Sequence, residues 1–258
     1  MRIRFRQWFI IGITTLLLTC AVRQPVFADD NIASTMRLAR YEGEVEVEGQ
    51  GGDPKTILEN MRFADGDALR TGLESTASVS LDTGRILTVA PSSRVAFSQQ
   101  GQKLKLTLTE GALFLDVKEK LGEEETLDIQ TSTMAIGIRG TIVYVSDRAN
   151  QDTTAGRITT FGVLEGAAEI SYTDTSGAAR STSVPAGERL ILRDADGDGL
   201  TDAEPEATIM TAADIAGFVA EQIQKDETVL QRVQNASDVL ENTVDKLRRT
   251  GTGPGTNR

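Results

Sequence analysis

The sequence predicts a mainly β protein: an all-β domain of short strands, built as a sandwich or a solenoid, followed by a C-terminal amphipathic helix or helical hairpin. Three observations carry this. From Gly43 to Leu192 apolar and polar residues alternate with a period of two, interrupted by glycine-bearing turns. From Thr211 the apolar spacing lengthens to three and four residues, the helical period. Between these segments, positions 193–210 form a stretch crowded with aspartate, read as an acidic loop or linker.

Taken in order, the chain begins with an export signal over 1–28. Arg2, Arg4 and Arg6 precede an apolar run from Trp8 to Leu18, and Val26-Phe27-Ala28 offers a small-residue cleavage pattern. The run is too short to span a bilayer comfortably. The expected location is therefore exported, periplasmic or extracellular. Lipid anchoring at Cys20, which follows Leu17-Leu18-Thr19, is the alternative, and membrane attachment is otherwise expected only if the signal stays uncleaved. Asp29 to Arg40 reads as a lead-in to the first strand of a domain spanning 29–192.

Strand signals then recur: Glu44 to Glu48, Leu104 to Leu108, Ala112 to Val117, Leu127 to Thr131, Ile142 to Val145, Arg157 to Val163 and Ala167 to Tyr172. Turns are expected at Asp65-Gly66-Asp67, Asp82-Thr83-Gly84, Pro91-Ser92-Ser93, Glu110-Gly111, Glu165-Gly166 and Ala186-Gly187, with a solvated turn at Glu123-Glu124-Glu125. Many short strands at such spacing indicate a sandwich, barrel or solenoid.

The helical segment is expected over 211–250. Its apolar stripe is Ile215, Phe218, Val219 and Ile223, continued by Leu230, Val233, Leu240, Val244 and Leu247, with a break near Lys225-Asp226. Thr211 and Asp214 resemble a capping box, and Gly251, Gly253-Pro254 and Gly255 lead into a tail, 251–258. The stripe is narrow and flanked by Lys225, Glu227, Arg232 and Glu241. It suits packing on the β domain, and equally a coiled coil or a helix that docks an envelope or extracellular protein. Homo-oligomerisation follows from the coiled-coil reading.

Composition limits the chemistry. The chain has 258 residues, 27 Lys+Arg against 38 Asp+Glu, no histidine and one cysteine. Without histidine there is no His-based nucleophile pair, His-ligated zinc or imidazole shuttle, and one thiol makes no internal disulfide. The net charge of −11 argues against nucleic-acid binding. Cleavage after Ala28 would remove four arginines, no acid and the cysteine, taking the net charge from −11 to −15. Any metal is expected to be a hard cation held by carboxylates.

Several segments resemble the FecR domain. Asp65-Gly66-Asp67-Ala68-Leu69-Arg70-Thr71-Gly72, with Ser75 and Ala77, is similar to its G-D-x-L-R-T-G signature. Leu81-Asp82-Thr83-Gly84, Pro91-Ser92-Ser93, Gly111, Ile136-Gly137-Ile138-Arg139-Gly140-Thr141, Val163-Leu164-Glu165-Gly166 and Val184 to Glu188 follow in the family's order, over Arg37 to Leu192. The resemblance implies an exported all-β module; the best-known members are membrane-spanning regulators of iron-transport signalling, with a cytosolic sigma-factor-binding region ahead of the anchor. Here Met1 to Gln7 precedes the apolar run, so the expectation is a stand-alone envelope protein. In residue terms, Gly66, Gly72 and Gly84 are expected at positive φ, and Asp65, Asp67 and Asp82 at backbone N–H groups. Leu69 and Leu81 are expected to point inward, and Arg70 to pair with a turn carboxylate.

The acidic loop carries the sharpest chemical signal: Asp194, Asp196, Asp198, Leu200 through its carbonyl, Asp202 and Glu204 as ligands for Ca²⁺. Alternate carboxylates converge when such a loop winds round a cation, and Gly199 permits the turn. The D-x-D-x-D-G pattern is shared with EF-hand-like loops, and its continuation resembles bacterial thrombospondin type 3 repeats. Pro205 stands where an EF-hand places its bidentate Glu, so binding is expected to be weak, ~10⁻⁴–10⁻³ M.

The functional expectation is an exported, non-catalytic binding or scaffold protein of the envelope with a calcium-stabilised joint. The alternative is a regulator of transmembrane signalling, of iron-transport or sigma-factor type, retained by an uncleaved anchor. A third reading, a carboxylate-based polysaccharide hydrolase, would rest on Asp116, Asp128 and Glu169. With one Trp and three Tyr the chain offers little aromatic surface for sugars.

Overall fold

The computed structural model describes residues 35–215 and 217–250. The expected signal segment 1–28, Cys20, positions 29–34 of the lead-in and the tail 251–258 lie outside the described residues; the rest of the lead-in already runs into the first strand. The described strands are β1 (Arg37–Glu42), β2 (Val45–Glu48), β3 (Pro54–Lys55), β4 (Ala68–Thr71), β5 (Thr76–Ser80), β6 (Arg85–Val89), β7 (Arg94–Gln100) and β8 (Lys103–Val117). They continue as β9 (Thr126–Gln130), β10 (Met134–Ile138), β11 (Ile142–Ala149), β12 (Arg157–Glu165), β13 (Ala167–Thr173), β14 (Ala179–Pro185), β15 (Glu188–Asp194) and β16 (Glu206–Ile209). Three helices follow: α1 (Phe218–Lys225), α2 (Glu227–Ala236) and α3 (Asp238–Thr250).

The mainly β architecture with C-terminal helices is therefore what the structure contains. The strands form one unclosed hydrogen-bonded system that β8 folds into two sheets. One sheet runs β1-β5-β6-β8-β11-β12-β15-β16, the other β3-β2-β4-β7-β8-β9-β10-β13-β14. Inward side chains of both sheets, among them Val79, Leu87, Leu113 and Val143 from the first and Leu69, Phe97, Leu106 and Ile129 from the second, merge into one buried core.

The chain crosses between the sheets at short corners, and all but the first of these fall in the FecR-like segments. Crossings occur at Gly43-Glu44, Gly72 to Ser75, Pro91-Ser92-Ser93, Arg139-Gly140-Thr141, Gly166 and Ala186-Gly187. One expected turn proves different. Glu110-Gly111 does not end a strand; it bends a 15-residue one, β8. Before the bend β8 pairs with β7, and after it with β6 and β11. Gly111 has φ +94, and a Cβ there would lie 2.5 Å from Ser93 Cα, so only glycine lets the corner at Ser93 approach the bend. Because β8 ends in the other sheet, the returning chain enters β9 beside the start of β8, which makes β8–β9 a parallel pair.

Among the signature residues, Asp65, Asp67 and Asp82 accept from the N–H groups of Gln99, Ala64 and Gly84 respectively. Leu69 and Leu81 are buried. Gly66 has φ +82, whereas Gly72 and Gly84 are not at positive φ. Gly72 is short of space instead: a Cβ would meet Glu44 Cβ at 3.2 Å. Arg70 reaches Glu46 on the neighbouring strand, 4.0 Å away, rather than a turn carboxylate.

The helices lie on the outer face of the first sheet. Ile215, Val219, Ile223, Leu230, Val233, Leu240, Val244 and Leu247 bury against Phe114, Ile142, Tyr144 and Leu164. Of the uses left open for the stripe, packing on the β domain is the one seen. The break at Asp226 is present, with Asp226 extended and its carboxylate accepting from Thr228 N–H. A second break, not expected, falls at the extended Ser237, beside the Gly187 corner. Thr211 and Asp214 do bond to one another, but they close a turn ahead of the helix, and Asp214 pairs with Arg189 at 2.9 Å. The stretch read as linker to residue 210 ends in β16, which pairs with β15 through Glu188↔Ile209.

Candidate metal centre

The acidic loop leaves β15 at Asp194 and re-enters the sheet at β16. Two hairpins hold it. On one side Gly156 approaches so closely that a Cβ would lie 2.6 Å from both the Asp194 and Ala195 carbonyl oxygens. On the other, Thr201 N–H donates to Thr173 O at 2.9 Å. Asp202 N–H donates to Arg193 O at 2.9 Å, which closes the loop on itself.

Within this frame Asp194, Asp196 and Asp202 bring carboxylate oxygens within 4.8 Å of one another, so this group could hold a metal ion. Asp194 is buried, and Asp196 and Asp202 are exposed. The other expected ligands lie outside the group. Asp198 Oδ1 accepts from Leu200 N–H at 2.8 Å, Leu200 is half-buried, and Glu204 is exposed.

Local turn chemistry explains the placement. Asp194 accepts from Gly197 N–H at 2.6 Å and Gly199 N–H at 2.9 Å, winding the chain round its own carboxylate. Asp196 accepts from Asp198 N–H at 3.2 Å, and Asp202 from Ala195 N–H. Gly197 and Gly199 sit at φ +84 and +85, which this winding requires. Each carboxylate oxygen has two lone pairs, so a backbone N–H on one does not exhaust it. Three oxygen-donor carboxylates on one side of a loop fit a hard divalent cation that completes its shell with water and carbonyl oxygen.

Of the strand carboxylates considered for hydrolysis, Asp116 lies apart from the other two, on the outer face of the first sheet. Asp116, buried on the outer face of β8, pairs with Arg232 of α2 at 2.6 Å. Burial pushes its carboxyl above the ordinary range, and Arg232 opposes this. Asp128 and Glu169 lie on the outer face of the second sheet, on strands separated by β10, each opposite Gly137. Burial also raises Asp128, with Lys103 and Lys105 acting the other way.

Arg232, one of the charged residues flanking the helical stripe, has a role that the stripe alone does not indicate. Its guanidinium binds Asp116, Glu165 and Val117 O, and pins α2 to the sheet. The available signal was Asp116 itself, a lone acid in the apolar run Ala112 to Val117, which requires a buried cation.

Residues 67–169 match the family described as FecR protein, inside the span 37–192 over which the motifs run. Two crystal structures of a candidate anti-sigma factor from Parabacteroides distasonis ATCC 8503 resemble this chain at 12% identity and a TM-score of 0.43. That similarity covers 55% of this chain and 59% of the other, and at this level it carries no inference about function. No curated protein sequence matches the chain.

Proposed function

We propose that the chain is an exported, non-catalytic FecR-domain module of the cell envelope that binds or scaffolds other envelope components, with the acidic loop as a Ca²⁺-stiffened joint ahead of the helices. The observation that carries the reading is the FecR match over 67–169, in a framework whose motif residues form corners, caps and ion pairs. Ca²⁺ is the cation suited to three carboxylates with room for water, and Asp194, Asp196 and Asp202 are the ligands to expect. Isothermal titration with Ca²⁺ tests the joint. Millimolar binding that disappears in Asp196→Ala with Asp202→Ala supports it, and absence of heat removes it.

With the apolar stripe buried, contact between the helices and an envelope protein falls to their outer residues, such as Glu227, Gln231 and Asn235. Cross-linking at Gln231 in the envelope fraction would identify such a contact.

The family match also favours a second reading, a regulator of transmembrane signalling retained by an uncleaved N-terminal segment. Mass spectrometry of the mature amino terminus separates the two. A soluble chain starting at Asp29 excludes the anchored regulator. A lipidated Cys20 excludes cleavage after Ala28 and keeps the module on the envelope by a different attachment.

A further inference from the structure

Among the described residues the two sheets have four edges, and these are not equally protected. An edge strand presents unpaired N–H and C=O groups, and proteins blunt it by shortening, proline, bulges or a covering segment. β3 is two residues long and begins with Pro54, and β16 has four residues. β1 is covered at its start, where Leu38 N–H donates to Met61 O and Phe63 N–H to Met36 O, and its register shifts between Leu38 and Arg40. β14 differs. It runs seven residues in unbroken register with β13, and no described segment pairs with its other side.

Its centre, Ser181 to Val184, carries none of the usual deterrents, which fall at its ends. Val184 is buried and Thr182 half-buried on the core side, while Ser181 and Ser183 are small and exposed on the outer side. The one charge, Arg180, is held by Asp174 at 2.8 Å, and the proline, Pro185, comes last. We infer that β14 is a pairing edge for a second copy of this chain, joining two second sheets antiparallel across a two-fold axis. With Thr182 opposite its own copy, Ser181 faces Ser183 and Arg180 faces Val184, so no like charges meet and hydroxyls face hydroxyls. The pairing is isologous and closes at a dimer. Each copy carries a net charge of −11, so long-range repulsion opposes association and salt screens it.

Sedimentation of the purified chain over a wide concentration range, at low and moderate salt, tests this. The expected result is a dimer that strengthens as salt rises, with hydrogen exchange at Arg180 to Val184 slowing as dimer forms. Ser181→Lys with Ser183→Lys sets lysine against lysine twice and should abolish the dimer; Ser181→Glu with Ser183→Glu should do the same. An equal mixture of the two variants should restore one. Circular dichroism checks that both remain folded, and the exchange measurement on the unaltered chain decides if either does not. A monomer at every concentration and salt, a dimer that survives both double variants, or a dimer whose protection falls on the helices would each overturn the inference.

Discussion

The two sheets share a strand but have opposite outer faces, and β8 shows the difference along its own length. Its first half, Lys103 to Glu110, alternates buried with exposed or half-exposed residues up to Thr109. Its second half, Gly111 to Val117, is buried throughout. The first half has core on one side and water on the other. The second has core on one side and α1 to α3 on the other, so Phe114 and Asp116 must both be accommodated in a covered layer. A strand thus loses its period-two pattern where a third layer covers it.

The largest test of that contrast is truncation on matching outer positions. Phe114→Ala, under the helices, should cost ~3–5 kcal/mol, whereas Thr107→Ala on the same strand before the bend should change stability by less than about 0.5 kcal/mol. Urea denaturation of both variants measures this, and equal losses would mean that the helices do not form a true layer.

Ion pairs should divide in the same way. Arg232 is a fifth exposed and holds the buried Asp116, so Arg232→Ala should cost about 3 kcal/mol by stranding that carboxylate. Arg70 is 63% exposed and 4.0 Å from Glu46, and Arg70→Ala should cost less than about 0.5 kcal/mol. The same denaturation experiment reads both. A large effect at Arg70 would mark that signature residue as more than a surface charge.

Glycines sharpen the comparison further. Gly162 lies under Tyr144 in the covered layer, and a Cβ there would come within 2.1 Å of the ring. Gly162→Ala should therefore destabilise by about 1–3 kcal/mol. Gly137, on the open face, has its nearest neighbour 3.9 Å away, so Gly137→Ala should be neutral or stabilise by up to ~1 kcal/mol. Thermal melts of the pair distinguish the outcomes.

The smallest effect is in acid titration. Burial raises the Asp116 carboxyl, Arg232 opposing, from an ordinary value of 3.8, so its contribution to stability is greatest below that pH and is lost as pH rises through the folded value. Asp174, at the exposed β13–β14 turn, has the opposite sign. The Ser176 hydroxyl, then Arg180, hold it well below the ordinary range, so its contribution is present above the unfolded value and is lost only as pH falls through the folded one. Carboxyl NMR titration should place Asp116 above and Asp174 below the ordinary aspartate value of 3.8. The reverse order would show that Arg232 outweighs burial.

Much of this was legible in the sequence because it is local. Alternation at Leu104 to Leu108, the bonds of Asp67 and Asp82 to Ala64 and Gly84 N–H, and the break at Asp226 depend on residues near in the chain, and each appears where expected, whereas Asp65 finds its N–H on Gln99, 34 residues away. At the acidic loop, the turn at Gly199 was legible, but not that the chain winds round the Asp194 carboxylate, nor which carboxylates would approach one another. Asp198 turns to its own neighbour's N–H, while Asp202 is brought back by its bond to Arg193 O. That closure depends on β15 and β16 being paired, which no spacing within the loop encodes.

By itself the sequence determined the β character of 43–192, the helical period after Thr211 and the ordered FecR-like segments, since period, turn chemistry and capping act over a few residues. Only the tertiary structure decided that Gly111 bends a strand rather than ending it, that the helical stripe covers Phe114 and Tyr144, and that Arg232 meets Asp116, 116 residues away in the chain. These depend on which surfaces meet once the sheets have formed, and burial between distant segments, unlike local periodicity, is set by the whole fold.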